Sequence, residues 1–121
     1  METVEQAGGM MEEGLALVFS APASAERETE FNEWYEKVHI PEVLAVDGFV
    51  SAQRYQLDPD QPRPPKPGTA LAEQPYVTVY RLEADSLADV ATSLRAAVPE
   101  MHMSDAICTD PPPKTVYYRL V

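Results

Sequence analysis

An α+β fold, with elements in the order β-α-β-β-α-β around one four-stranded antiparallel sheet, is predicted for this chain of 121 residues by three observations. Four short runs, apolar or alternating and bounded by glycine and proline, read as strands. Two longer segments carry apolar residues at helical spacing. The chain also divides into two similar βαβ halves, and Tyr80-Arg81-Leu82 recurs as Tyr118-Arg119-Leu120.

Gly14 to Ala21 (GLALVFSA) is the first strand, with residues 1–13 as an acidic leader and Met10 or Met11 as candidate natural starts. Leu15, Leu17 and Phe19 lie on one face and Ala16 and Val18 on the other, so both faces need cover. Ser24 is a candidate N-cap, with Glu26 and Glu28 where the helix dipole favours anions. At about 100° per residue, Phe31, Trp34, Tyr35 and Val38 form one stripe, while Asn32 and His39 form a polar flank about 20° apart. Pro41 is expected to end or kink this helix.

A glycine turn then feeds a second strand, Phe49 to Leu57, with Ser51, Gln53 and Tyr55 on one face and Val50, Ala52 and Arg54 on the other. Residues 58–75, rich in proline and glycine, read as an extended connection or flap within one domain, 14–121. Strand three, Tyr76 to Glu83, alternates Tyr76, Thr78 and Tyr80 against Val77, Val79 and Arg81. Ser86 caps a second helix whose Leu87, Val90, Ala91, Leu94 and Val98 form an amphipathic stripe. A loop from Pro99 to Lys114 carries Met101-His102-Met103 and three consecutive prolines, and Thr115 to Val121 is the fourth strand.

This order is the split βαβ, ferredoxin-like arrangement, with both helices on one sheet face. The other face is expected to carry Ser51, Gln53, Tyr55, Tyr76, Thr78, Tyr80 and Tyr117, too aromatic for a solvated surface. A second copy packed face to face would cover it and enclose a tyrosine-lined cavity.

Composition narrows the function. A net charge of −11 argues against nucleic acid and against anionic membrane surfaces as partners. No apolar run is long enough to span a bilayer, and the N-terminus lacks the basic and apolar regions of a signal peptide. One cysteine, Cys108, excludes an internal disulfide framework and fits a reducing cytoplasm. Two distant histidines and one cysteine make no zinc spacing, and no glycine-rich phosphate cradle is present.

The run FNEWYEKVHIPEVLAVDGFVSAQRY, residues 31–55, resembles the signature of the EthD-type group within the dimeric α+β barrel superfamily. That signature joins an aromatic-Asn-x-Trp-Tyr segment, His-x-Pro, Gly-Phe and a strand ending Arg-Tyr. Phe31, Asn32, Trp34, Tyr35, His39, Pro41, Gly48, Phe49, Arg54 and Tyr55 match it. The resemblance implies a homodimer with one pocket per subunit between the first helix and the sheet. Relatives of this type include muconolactone-type isomerases, aromatic polyketide cyclases, cofactor-free quinone-forming monooxygenases and proteins that bind or degrade haem.

Within this frame His39 is the candidate general acid/base, since imidazole titrates near neutral pH. The bland alternative is a helix C-terminal histidine that meets free carbonyls. Asn32 is a candidate to orient His39 or bind a carbonyl. Tyr55 is a candidate catalytic donor to a developing enolate, with Tyr80 and Tyr117 beside it, or else all three pack a dimer. Phe31, Trp34 and Tyr35 read as pocket wall. Arg54, Arg81 and Arg119 are expected to include a structural pair with Glu42 or Asp47, and Arg54 is a candidate anion binder. His102 is a candidate at the pocket mouth and, as a lone axial ligand, the one route to haem.

The expected function is a cofactor-free enzyme acting on a small hydrophobic ring compound, through isomerisation, cyclisation or a related lyase step. Cofactor-independent oxygenation is the rival within enzymes. A non-catalytic binding or accessory protein of the same fold is the rival outside them, and a tyrosine-filled structural dimer is a third possibility.

Overall fold

The computed structural model describes residues 11–62 and 74–121. Residues 1–10 and 63–73, which hold most of the leader and the middle of the 58–75 connection, lie outside the described residues. Four strands, β1 (Glu12–Ser20), β2 (Phe49–Gln56), β3 (Tyr76–Ala84) and β4 (Lys114–Arg119), form one sheet in the order β2-β3-β1-β4. Every neighbouring pair is antiparallel. β1 begins at Glu12, two residues before the predicted start, because Glu12 and Glu13 pair with Ala84 and Glu83.

The first helical region opens with a 3₁₀ turn, Ala25–Arg27, and continues as α1 (Glu28–Trp34), a π turn (Tyr35–His39) and α2 (Ile40–Leu44). Ser24 precedes it in extended backbone, but its side chain makes no capping bond. Arg27 instead ties the start down, bonding Glu30 at 2.7 Å and Asp105 at 2.6 Å. The second helix, α3 (Leu87–Ala97), is capped by Ser86 Oγ, which accepts from the Asp89 N–H at 3.4 Å. Leu87 and Val90 are buried, Ala91 and Leu94 half-buried, and Val98 falls just past the helix in an exposed 3₁₀ turn.

Both helical regions lie on the same sheet face. Cross-strand partners in an antiparallel pair share a face, so the pairings Tyr80↔Ala52, Tyr80↔Ala16 and Arg54↔Thr78 define the inner row. Tyr76, Thr78, Tyr80 and Leu82 are all buried there. This corrects the expectation that Tyr76, Thr78 and Tyr80 share the open face with Ser51, Gln53 and Tyr55. Tyr55 pairs with Val77 and Gln53 with Val79, so that row points outward. The physical reason lies at the end of β3: Leu82 belongs to the Tyr76 row, whereas Arg81 and Glu83 belong to the other. Tyr117 also turns inward, paired with Ala16.

The inner face of β1 is small, as close helix packing requires. A Cβ on Gly14 would lie 2.1 Å from the Tyr118 carbonyl oxygen and 2.9 Å from Leu87 Cδ1. Two buried clusters result. One gathers Tyr80, Leu82, Phe49, Val43, Leu87 and Val90 under α2 and α3. The other gathers Phe31, Trp34, Tyr35 and Tyr76 with Ala106 and Ile107. Ala106 and Ile107 come from the loop after α3, which is pinned to the segment before α1 by Ala23 N–H to Ala106 O at 2.6 Å and Cys108 N–H to Ala21 O at 2.8 Å.

Candidate functional site

The site rests on the π turn. Within it the Ile40 N–H reaches back five residues to the Tyr35 carbonyl. Pro41 follows at once, lacking an N–H and crowding the preceding turn, and a widened turn lets the helix pass it. Of the two expected outcomes, an end or a kink, the end does not occur: the helix runs on to Leu44, and the irregularity falls in the turn just before the proline.

The extra residue re-aims His39. In a regular α-helix positions 34 and 39 point about 140° apart. Here the Trp34 and His39 rings stack at 4.6 Å between centroids, with planes 20° apart. Tyr35 meets the same imidazole edge-on at 5.1 Å. Burial holds the His39 pKa below the ordinary imidazole value of 6.5, against an opposing pull from the Glu42 carboxylate. Its Nδ1 is buried with no partner among the described residues.

Asn32 does not join His39. Its Oδ1 accepts from Arg54 Nη1 at 2.9 Å, and its Nδ2 donates to the Tyr76 hydroxyl at 3.3 Å. The Tyr76 hydroxyl in turn donates to the Glu28 carboxylate. Burial and that carboxylate raise the Tyr76 pKa. Arg54 sits 4.4 Å from the centroid of Tyr35, 5.1 Å from that of Tyr76 and 5.3 Å from that of Phe31. Its side chain is 12% exposed and its Nη1 lies 3.7 Å from a Glu36 carboxylate oxygen. Arg54 thus pairs with Glu36 and not with Glu42 or Asp47. Arg81 pairs with Glu83, and Arg119 with Glu12 at 2.9 Å.

Several buried side-chain polar atoms among the described residues have no hydrogen-bond partner. They are Ser20 Oγ, His39 Nδ1, Arg54 Nε and Nη2, Thr78 Oγ1 and Tyr80 Oη. Burial drives the Tyr80 pKa far above the ordinary phenol range, and the nearby Tyr35 adds to this while Arg54 opposes it. Buried polar groups are normally satisfied, because an unmet donor or acceptor costs about 1–3 kcal/mol. Among the described residues these six atoms come from β1, β2, β3 and the π turn.

Three predicted residues stand apart. Tyr55 is exposed on the outer face, away from Arg54 and His39. Tyr117 is on the inner face at the β4 edge, where burial raises its pKa. His102 is 84% exposed and bound to α2: its Nδ1 lies 2.6 Å from Glu42 Oε2 and its N–H donates to Glu42 Oε1 at 2.9 Å. That pairing raises the His102 pKa and lowers that of Glu42. His102 still touches the site through its backbone, since its carbonyl accepts from the Trp34 indole N–H at 2.8 Å.

Ser20, Thr78, Tyr76, Glu28 and Glu36 were not predicted as site residues. Correct assignment of the β3 faces would have pointed to Tyr76 and Thr78, because both flank the inward Arg54. Among the described residues no group of three or more His, Cys, Asp or Glu side chains is placed to hold a metal ion, and no helix is long and apolar enough to cross a membrane. No family model, characterised protein or solved structure matches the chain. The described chain is an α+β protein with a four-stranded antiparallel sheet, its first helix re-aimed by a π turn.

Proposed function

We propose that the chain is a cytoplasmic, cofactor-free enzyme of the EthD-type, ferredoxin-like class that moves a proton on a small hydrophobic ring compound. The observation that carries this reading is the set of unpartnered buried polar atoms that includes His39 Nδ1 and Tyr80 Oη. A neutral imidazole is the form that accepts a proton, and burial favours that form. His39 takes the proton from a carbon next to a carbonyl, or from a phenol. The Tyr80 hydroxyl then donates to the oxyanion that develops, in a setting where no water competes. Asn32, already shared between Arg54 and Tyr76, positions those two groups instead. Returning the proton at another position gives isomerisation, whereas attack of the enolate carbon on a second carbonyl of the same molecule, with the proton returned to the alkoxide so formed, gives ring closure.

The outer sheet face supports a homodimer, since Leu15, Tyr55 and Tyr118 are exposed on it beside Leu17, Phe19 and Val79. Sedimentation equilibrium of wild type and Val79→Asp tests this, with a dimer and a monomer expected. Function is tested by a turnover screen over ring ketones, lactones, phenols and polyketide-like aromatics, in air and under nitrogen, with products read by mass spectrometry. Turnover in both atmospheres that His39→Ala abolishes is the expected result. Turnover confined to air would replace isomerisation with oxygenation, and binding without turnover in either protein would make the chain a carrier.

A further inference from the structure

Arg54 keeps one edge of its guanidinium without a partner. Nη1 is used, by Asn32 at 2.9 Å and Glu36 at 3.7 Å. Nε and Nη2 are buried and unpartnered among the described residues. Covalent geometry puts these two nitrogens on the same side of the fork, where their N–H bonds run parallel at the spacing of two carboxylate oxygens. The rings of Phe31, Tyr35 and Tyr76 surround the guanidinium carbon. They stabilise its charge and lie close around it, but they offer no acceptor for both N–H groups of that edge. Tyr35 is also the ring that His39 meets edge-on, so the guanidinium and the imidazole share one wall.

We propose that the Nε–Nη2 edge of Arg54 is the anchor for a carboxylate carried by the ring compound, a deepening that rests on the function proposed above. The ligand is a flat cyclic monocarboxylate, its acid group paired side-on with Arg54 and its ring against the aromatic wall. The local charges select a monoanion. Glu36 lies against the same guanidinium and Glu28 against Tyr76, so a dianionic phosphate would meet two carboxylates for one arginine. The edge is sealed from water, so entry of the ligand parts the side chains over it and forms a pair free of competition from solvent.

Benzoate and benzamide test this, since they share a ring and a shape and differ in charge. Calorimetric titration of the full chain near neutral pH is expected to show benzoate binding at least about tenfold more tightly than benzamide. Arg54→Lys keeps the charge but not the fork, and should weaken benzoate by about tenfold. Arg95→Lys, the same change at an exposed arginine of α3, should bind benzoate within about twofold of wild type. Equal binding of the two probes overturns the anchor while the pocket stands. Wild-type affinity in Arg54→Lys, or no benzoate binding to wild type, also overturns it. The turnover screen judges the enzyme reading separately, because it scores reaction and not binding.

Discussion

The two helical regions lie on the same face of the same sheet and are built by different rules. α3 is regular: a serine cap accepts from the third following residue, an apolar stripe faces the sheet, and polar groups face out. The first region has no side-chain cap, begins in a 3₁₀ turn, and carries a π turn. The buried residues of α1 and the π turn are aromatic, Phe31, Trp34 and Tyr35, where those of α3 are aliphatic. A regular helix presents side chains at fixed angles, which suits packing. The π turn trades one regular bond pattern for a ring stack between residues five apart, which suits the placing of a single imidazole. Regularity goes with support here, and irregularity with the candidate site.

The largest expected effect is on the aromatic side. Phe31 is fully buried against Tyr35, Tyr76 and Arg54, so Phe31→Ala should cost about 3–5 kcal/mol of unfolding free energy in urea. Val90→Ala in α3 removes less volume and should cost about 2 kcal/mol. An equal loss at both positions would end the distinction between the two regions. Next is the turn from α2 into β2, which packs against α3. Gly48 has φ +97°, and a Cβ there would lie 2.5 Å from Val90 Cγ2. Gly48→Ala should cost about 1–3 kcal/mol, and pairing it with Val90→Ala should give less than the sum, because the clash disappears while the backbone strain remains.

The caps give a smaller and sharper contrast. Ser86→Ala should lose about 1 kcal/mol, whereas Ser24→Ala should change stability by only about a few tenths, since its hydroxyl caps nothing. Thermal melts of the two variants decide it.

The smallest effects separate the two histidines by pH. His39 binds its proton less readily folded than unfolded, so stability falls as pH drops below 6.5. His102 binds its proton more readily folded, through Glu42, so its contribution is present below 6.5 and is lost as pH rises through its raised value. His102 is exposed, and its pair is screened by water and salt. Unfolding measured from about pH 5 to about pH 8 should show the acid-side fall vanish in His39→Gln and the alkaline-side fall vanish in His102→Gln. Identical profiles for the two variants would contradict opposite roles.

The element order was legible because each strand and helix has its own period, and Gly48 and Ser86 mark true boundaries, although Gly14 lies within β1 and Pro41 within the first helical region. The sheet faces were legible only in part. Tyr76, Thr78 and Tyr80 suit a half-wet surface as well as a core, and the residues that settle the matter, Leu82 and Glu83, stand at the end of the strand. The π turn left no trace in the pattern, because Phe31, Trp34, Tyr35 and Val38 fit an α-helical stripe too. One added residue in a turn changes which groups meet without changing which are apolar. Regular helical spacing therefore puts Asn32 beside His39, whereas its side chain is bound to Arg54. Ion-pair choice was equally hidden, since Glu42 goes to a loop sixty positions away and Arg54 goes to Glu36.

β1 leaves the ribosome first among the strands, yet it takes the centre of the sheet, with β3 on one edge and β4 on the other. Its second edge stays open until residues 114–119 have been made. During synthesis a nine-residue strand, apolar on both faces, waits with unpaired N–H and C=O groups on display. A chain cut before residues 114–119 would leave that edge of β1 open to other strands, so β4 is the strand that covers it.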